Sequence, residues 1–107
     1  MSYVPPDEVV SPQASWKLER VIYDEGLGQI AIACGHYDGR PTVAIRWNGT
    51  NEPGKEMGHP QSSAHPIWFM LPEGLGKLVL STLSRSVWPK PSALREQPAT
   101  MARDWLK

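Results

Sequence analysis

The amino-acid sequence predicts an α+β domain: a mainly antiparallel four-stranded sheet, made of a three-stranded meander plus one strand, with one helix on its apolar face and a C-terminal arm or short helix. Three observations carry this expectation. Apolar side chains recur with a period of two between Trp16 and Trp47, interrupted by two glycine-containing turns. A short apolar run, Ile67 to Leu71, stands between Pro66 and Pro72. Directly after it, Leu75, Leu78, Val79, Thr82 and Leu83 recur at helical spacing.

The first fifteen residues contain Pro5, Pro6 and Pro12 and show no apolar period, so residues 1–15 read as an N-terminal arm. Its Tyr3, Val4, Val9 and Val10 allow it to lie along the domain or along a neighbouring copy. In the first strand Trp16, Leu18, Arg20 and Ile22 point one way, and Lys17, Glu19, Val21 and Tyr23 the other. Asp24-Glu25-Gly26 fits a three-residue hairpin loop with glycine in the left-handed conformation. The second strand, Gly28 to Tyr37, puts Ile30, Ile32 and Cys34 on one face and Ala31, Ala33 and Gly35 on the other. Asp38-Gly39 suits a two-residue turn with positive φ at both positions, and Arg40 to Trp47 forms the third strand.

Turn length fixes register. The two-residue loop predicts Cys34 opposite Val43, Ile32 opposite Ile45 and Ile30 opposite Trp47. The three-residue loop predicts Trp16 opposite Cys34 and Leu18 opposite Ile32, which gathers the same apolar face.

Residues 49–65 hold Gly49, Pro53, Gly54, Gly58 and Pro60 without an apolar period. They read as a long loop, a class of segment that often carries binding or lid functions. Ile67 to Leu71 reads as a fourth strand covered on both sides, and the helix follows, with Glu73 near its start and Arg85 near its end in keeping with the helix dipole. Trp88-Pro89-Lys90-Pro91 cannot continue that helix. A last helix of ten residues is expected from Pro98, with Met101, Ala102, Trp105 and Leu106 on one side, and at that length it needs packing to persist. The expected organisation is therefore an arm (1–15), a core domain (16–86) and a C-terminal arm or helix (87–107) that packs on the core or on a second subunit.

A 107-residue chain buries roughly 65% of its unfolded surface, which suits one core. Lys plus Arg and Asp plus Glu balance at 11 each, so no overall field favours nucleic acid. Charge is nonetheless uneven: residues 75–107 carry six basic and two acidic side chains, whereas the first thirty carry two basic and five acidic. Opposite charges of this kind attract within one fold or between two copies of it. The single cysteine, Cys34, excludes an intrachain disulfide, and no leader-like pattern opens the chain, so a cytoplasmic location is expected. The apolar runs are too short for a bilayer, and Asn48-Gly49-Thr50, although a formal glycosylation acceptor, reads as a turn.

Chemistry-bearing residues are sparse. Cys34 and His36 share a strand face, but Cys34 sits among apolar neighbours and reads as a buried thiol. His59 and His65, with Glu56, Ser62 and Ser63 nearby, match no zinc spacing and no nucleophile-base-acid arrangement, so no metal is expected. Gly26-Leu27-Gly28 and Gly74-Leu75-Gly76 lack the spacing of phosphate-cradling loops, and no cofactor is expected. Of the five tryptophans, the three on strands suit a core, while Trp88 and Trp105 suit an interface. The small-residue face of Ala31, Ala33, Gly35, Thr42 and Ala44 invites cover by the chain's own tail, a second subunit or a flat ligand.

The expected function is a binding or assembly module, homodimeric, which holds a small molecule or partner protein near loop 49–65 through Arg46, Trp47, His59 and His65. Trp88 and Trp105 would lie at the subunit interface. The alternative is a small enzyme that uses the loop histidines and Arg46 on a polar or anionic substrate.

Overall fold

A computed structural model of the chain describes residues 3–11 and 13–84. After a single 3-10 turn at Pro6–Glu8 come strands β1 (Trp16–Asp24), β2 (Ile30–Tyr37) and β3 (Arg40–Trp47). A small hairpin, β4 (Gln61–Ser62) and β5 (His65–Pro66), interrupts the long loop, and β6 (Phe69–Met70) and helix α1 (Glu73–Ser84) follow. The main sheet runs β1-β2-β3-β6, antiparallel throughout, and β4-β5 forms a separate two-stranded sheet. The α+β architecture expected from the sequence is thus present, and the fourth strand pairs beside the third. Trp88, Trp105 and the expected C-terminal helix lie outside the described residues.

The β2-β3 hairpin has the predicted register at every pair, with Ile32 opposite Ile45 and Cys34 opposite Val43. Asp38 (φ 51°) and Gly39 (φ 81°) supply the turn. The β1-β2 hairpin departs from expectation: Trp16 lies opposite Tyr37, Arg20 opposite Cys34 and Tyr23 opposite Ile32, with irregularities between Leu18 and Arg20 and between Val21 and Tyr23. The reason is tertiary. The connection spans Glu25 to Gln29 rather than three residues, because a distant segment pins it: Asn48 Nδ2 donates to Asp24 Oδ1 and to the Gly26 carbonyl, and Gly28 N donates to the Gly49 carbonyl. The two bulges each add one residue to β1, which lets Val21, Ile22 and Tyr23 all be buried in succession.

Both sheet faces are covered. On one, Ile22, Tyr23, Ile32, Cys34 and Val43 pack under Leu80 and Leu83 of α1. On the other, Ala31, Ala33 and Ala44 meet Trp16, Val21 and Trp68, with Val9 of the arm over them. The small-residue face is therefore covered by the N-terminal arm and two indoles. A side chain on Gly35 would overlap the Trp16 ring and the Lys17 carbonyl, so the absence of a Cβ there is what lets the indole lie flat. The arm is fastened by a hydrogen bond of 2.6 Å from Trp68 Nε1 to the Val9 carbonyl and by a parallel bridge between Ser11 and Ile67. Each of these buried large side chains contributes about 1.5–3 kcal/mol of burial.

Two elements are less covered than the sequence suggested. β6 buries Trp68 beside it, but Phe69 on the helix side is more than half exposed. The helix buries Gly76, Leu80 and Leu83 rather than the full set from Leu75 to Leu83, because Gly76 seats against Val43 and draws that line of the helix onto the sheet. At 3.6 residues per turn, Leu75 and Leu78 lie roughly 100° and 160° around the helix from Gly76, outside the contact. Among the described residues no helix is long and apolar enough to cross a membrane.

Candidate functional site

The site begins with the end of β3. Trp47 exchanges two backbone hydrogen bonds with His59, Trp47 N to the His59 carbonyl at 2.8 Å and His59 N to the Trp47 carbonyl at 3.0 Å. This bridge folds the long loop back along the sheet and places His59 and Pro60 at the mouth formed by the start of β2 and the end of β3. Gly58, at φ 66°, permits it: a Cβ there would collide with the Trp47 carbonyl oxygen. Within the loop, Thr50 N donates to the Lys55 carbonyl and Lys55 N to the Glu52 carbonyl, and the arm holds it from outside through Val4 N to the Glu56 carbonyl.

Between this mouth and α1 lies an apolar cleft of about 520 Å³. Its floor is Ile30, Ile32 and Ile45, and its walls are Trp47 with His59 and Pro60 on one side, Phe69 and Leu71 on another, and Leu75, Leu78 and Val79 of α1 on the third. Four of these side chains are unusually open for their type: Trp47 is 54% exposed, Phe69 56%, Leu75 52% and Leu78 60%. Isolated exposed apolar residues are ordinary on a protein surface, but four around one concavity form a patch of the kind associated with binding. Trp47 and His59 also border a second hollow, of about 540 Å³, whose lining includes Asn48, Thr50, Lys55 and Gln61. Two hollows thus share one ridge, the second with polar side chains in its lining.

Arg46, Trp47 and His59, named from the sequence, all border the cleft, whereas His65 sits exposed on the β4-β5 hairpin and is not part of its lining. Arg46 contributes little chemistry to it. Its side chain is 3% exposed, and Nη1 and Nη2 donate to the carbonyls of Ile67 and Met57, which ties the two ends of the loop region to the sheet. The guanidinium lies 5.9 Å from the Trp68 ring centroid, within cation–π range. Burial pushes its pKa down from 12.5 to about 10, an effect that Tyr3 opposes, so it stays charged at neutral pH. It is a structural clasp.

Cys34 is fully buried beneath α1, and burial, with a smaller contribution from the Glu19 carboxylate, pushes its thiol up to about 12. No thiolate is present near neutral pH. His36 instead lies with Nδ1 at 2.8 Å from Glu19 Oε1, so the two residues form no nucleophile–base pair. Among the described residues no group of three or more His, Cys, Asp or Glu side chains is placed to hold a metal ion.

Phe69, Leu75 and Leu78 escaped notice as site residues because an apolar strand and an apolar helix face read as core. A signal existed: α1 carries leucines over a wider arc than one sheet contact can bury, so part of that arc had to face something else. Compared with known proteins, the chain matches no family model, no curated protein and no solved structure.

Proposed function

We propose that the protein is a non-catalytic binding module whose apolar cleft receives an amphipathic partner, its apolar part against Trp47, Phe69, Leu75 and Leu78 and its polar part toward the hollow of Asn48, Lys55 and Gln61. The observation that carries this reading is the convergence of those four half-open side chains on one concavity of small-molecule or side-chain size. The enzymatic alternative has less support: Arg46 spends its guanidinium on carbonyls, Cys34 is inert, and His65 lies elsewhere. A second reading, assembly as a homodimer, draws on the charge distribution, since residues 1–84 hold six basic and nine acidic side chains and residues 85–107 five basic and two acidic. A solvent-polarity dye such as Nile red tests the first reading. Saturable binding by the full chain, lost in Leu78→Glu while the urea midpoint is kept, is the expected result; binding indifferent to that substitution rejects the cleft. Light scattering at micromolar concentration tests the second, and a monomeric mass rejects it.

A further inference from the structure

We infer that the partner received by the cleft is a second copy of this chain, related by a two-fold axis so that the two α1 helices meet antiparallel between the two clefts; this rests on the binding role proposed above. The first observation is where the open apolar area lies. The floor of the cleft is already covered, with Ile32 fully buried and Ile30 and Ile45 half-buried. The area left to water is on the rim, at Trp47, Phe69, Leu75 and Leu78, each more than half exposed. A small molecule seated inside covers a floor, whereas a rim is covered by a surface as broad as itself. The extent suits a dimer. At roughly 150–250 Å² for an aromatic side chain and somewhat less for a leucine, the open parts of these four amount to about 400 Å². A standard interface takes about 800 Å² from each partner, about 65% of it apolar between identical subunits, or about 520 Å². Half-buried Pro60, Leu71 and Val79 stand behind the rim to supply the rest.

Second, the open flank of α1 has the pattern of a helix-pairing seam. At about 100° per residue, Leu75, Leu78 and Thr82 fall within about 60° of arc, at the i, i+3, i+7 spacing of paired helices. The Thr82 hydroxyl is already bonded to the Val79 carbonyl. Glu73 and Lys77 stand about 100–160° around the helix from Leu75 and Leu78 and pair with each other at 3.1 Å, so the seam carries no charge. Leu78 lies at the middle of the twelve-residue helix, so in an antiparallel pair it faces its own counterpart. Third, charge does not oppose the pairing. A charge beside a two-fold axis meets its like in the other copy. Arg46 is the only Lys, Arg, Asp or Glu among the residues lining the cleft, and its side chain is buried. With 11 basic and 11 acidic side chains, the chain as a whole has no net charge to hold two copies apart.

Sedimentation equilibrium of the full chain over about 1–200 µM should show monomer and dimer in exchange, with half-association near about 10 µM for an interface of this modest area. Leu78→Glu and Leu78→Lys should each weaken association by about a hundredfold or more, because each sets like charges face to face. An equimolar mixture of the two variants should associate again, since Glu then meets Lys across the axis. Leu27→Glu, at a leucine of similar exposure in the β1-β2 connection and outside the cleft, should leave association unchanged. Urea unfolding at about 1 µM, below the association range, checks that each variant is folded. Nile red competes with the second copy for the cleft, so its apparent affinity should fall as protein concentration rises through the midpoint. A full chain that is monomeric at about 200 µM, a dimer that survives Leu78→Glu, or two monomeric variants that stay apart when mixed each overturns the second copy as occupant. In any of those cases the cleft reading stands if Leu78→Glu abolishes dye binding, and falls with the dimer if it does not.

Discussion

Replacing Ile32 by alanine separates the buried core from the open cleft in one measurement. Ile32 is fully buried, opposite Ile45, among Ile22, Tyr23, Cys34, Val43, Leu80 and Leu83. The substitution removes three side-chain carbons, worth about 2.4 kcal/mol at 0.8 kcal/mol each, and the surrounding strands and helix cannot close the gap, which adds about 1 kcal/mol or more. The expected loss is about 3–4 kcal/mol, a large share of the roughly 5–15 kcal/mol that hold a domain of this size together. The matched comparison is Leu78→Ala. Leu78 is 60% exposed, so the same number of carbons gives up less than half the transfer energy, leaves no cavity, and gains slightly in helix propensity. That loss should stay below about 1 kcal/mol. Urea unfolding followed by tryptophan fluorescence reads both, and with a slope of about 1–3 kcal/mol per molar the midpoint of Ile32→Ala should fall by at least 1 M or so. Equal losses for the two substitutions would refute the division of α1 into a packed line and an open flank.

Thiol labelling of the native protein should be far slower than in denaturant, since Cys34 is both buried and held protonated. Its thiol is raised from 9.0 to about 12 in the folded state, so between those values the unfolded chain ionises first and folding loses stability as pH rises. The stability advantage over Cys34→Ala should accordingly narrow from pH 9 upward, and a gap constant with pH would contradict the burial. Gly58→Ala should cost more than Gly54→Ala in thermal unfolding: both positions have positive φ, but only at 58 does the new Cβ meet a backbone oxygen. Arg46→Met leaves the carbonyls of Met57 and Ile67 without their donor and should cost about 1–3 kcal/mol, read by urea unfolding. A neutral result would mean the guanidinium is not the clasp that holds the loop.

The parts of the fold that were legible in the sequence are those governed by local chemistry. Asp38-Gly39 dictates its own turn, and the turn dictates Ile32 opposite Ile45, so β2-β3 follows from two residues. The first hairpin misled because its turn is set from outside: Asn48 and Gly49, some twenty residues on, lengthen the loop and shift Trp16 to the other face. The same limit applied to the site. Trp47 and His59 were identifiable as neighbours at the end of a strand and in a long loop. Arg46 was identifiable as a special residue, yet strand alternation alone does not tell a ligand-facing guanidinium from one that two carbonyls have captured. Leu75 and Leu78 looked like core because helical spacing shows which residues share a face, not how far the helix is rolled against the sheet.

The fastening of the arm also bears on how the chain is made. Val9 accepts its hydrogen bond from Trp68, which is synthesised 59 residues later, an interval of roughly 3–12 s at 5–20 residues per second. Once Trp47 has left the ribosome and before Trp68 follows, the β1-β2-β3 meander lacks the second indole on its alanine face and α1, which comes later still, on the other. A nascent chain from which Trp47 but not Trp68 has emerged therefore exposes a sheet that is apolar on both sides, a natural target for chaperone capture, and the arm around Val9 is among the last segments to find its place.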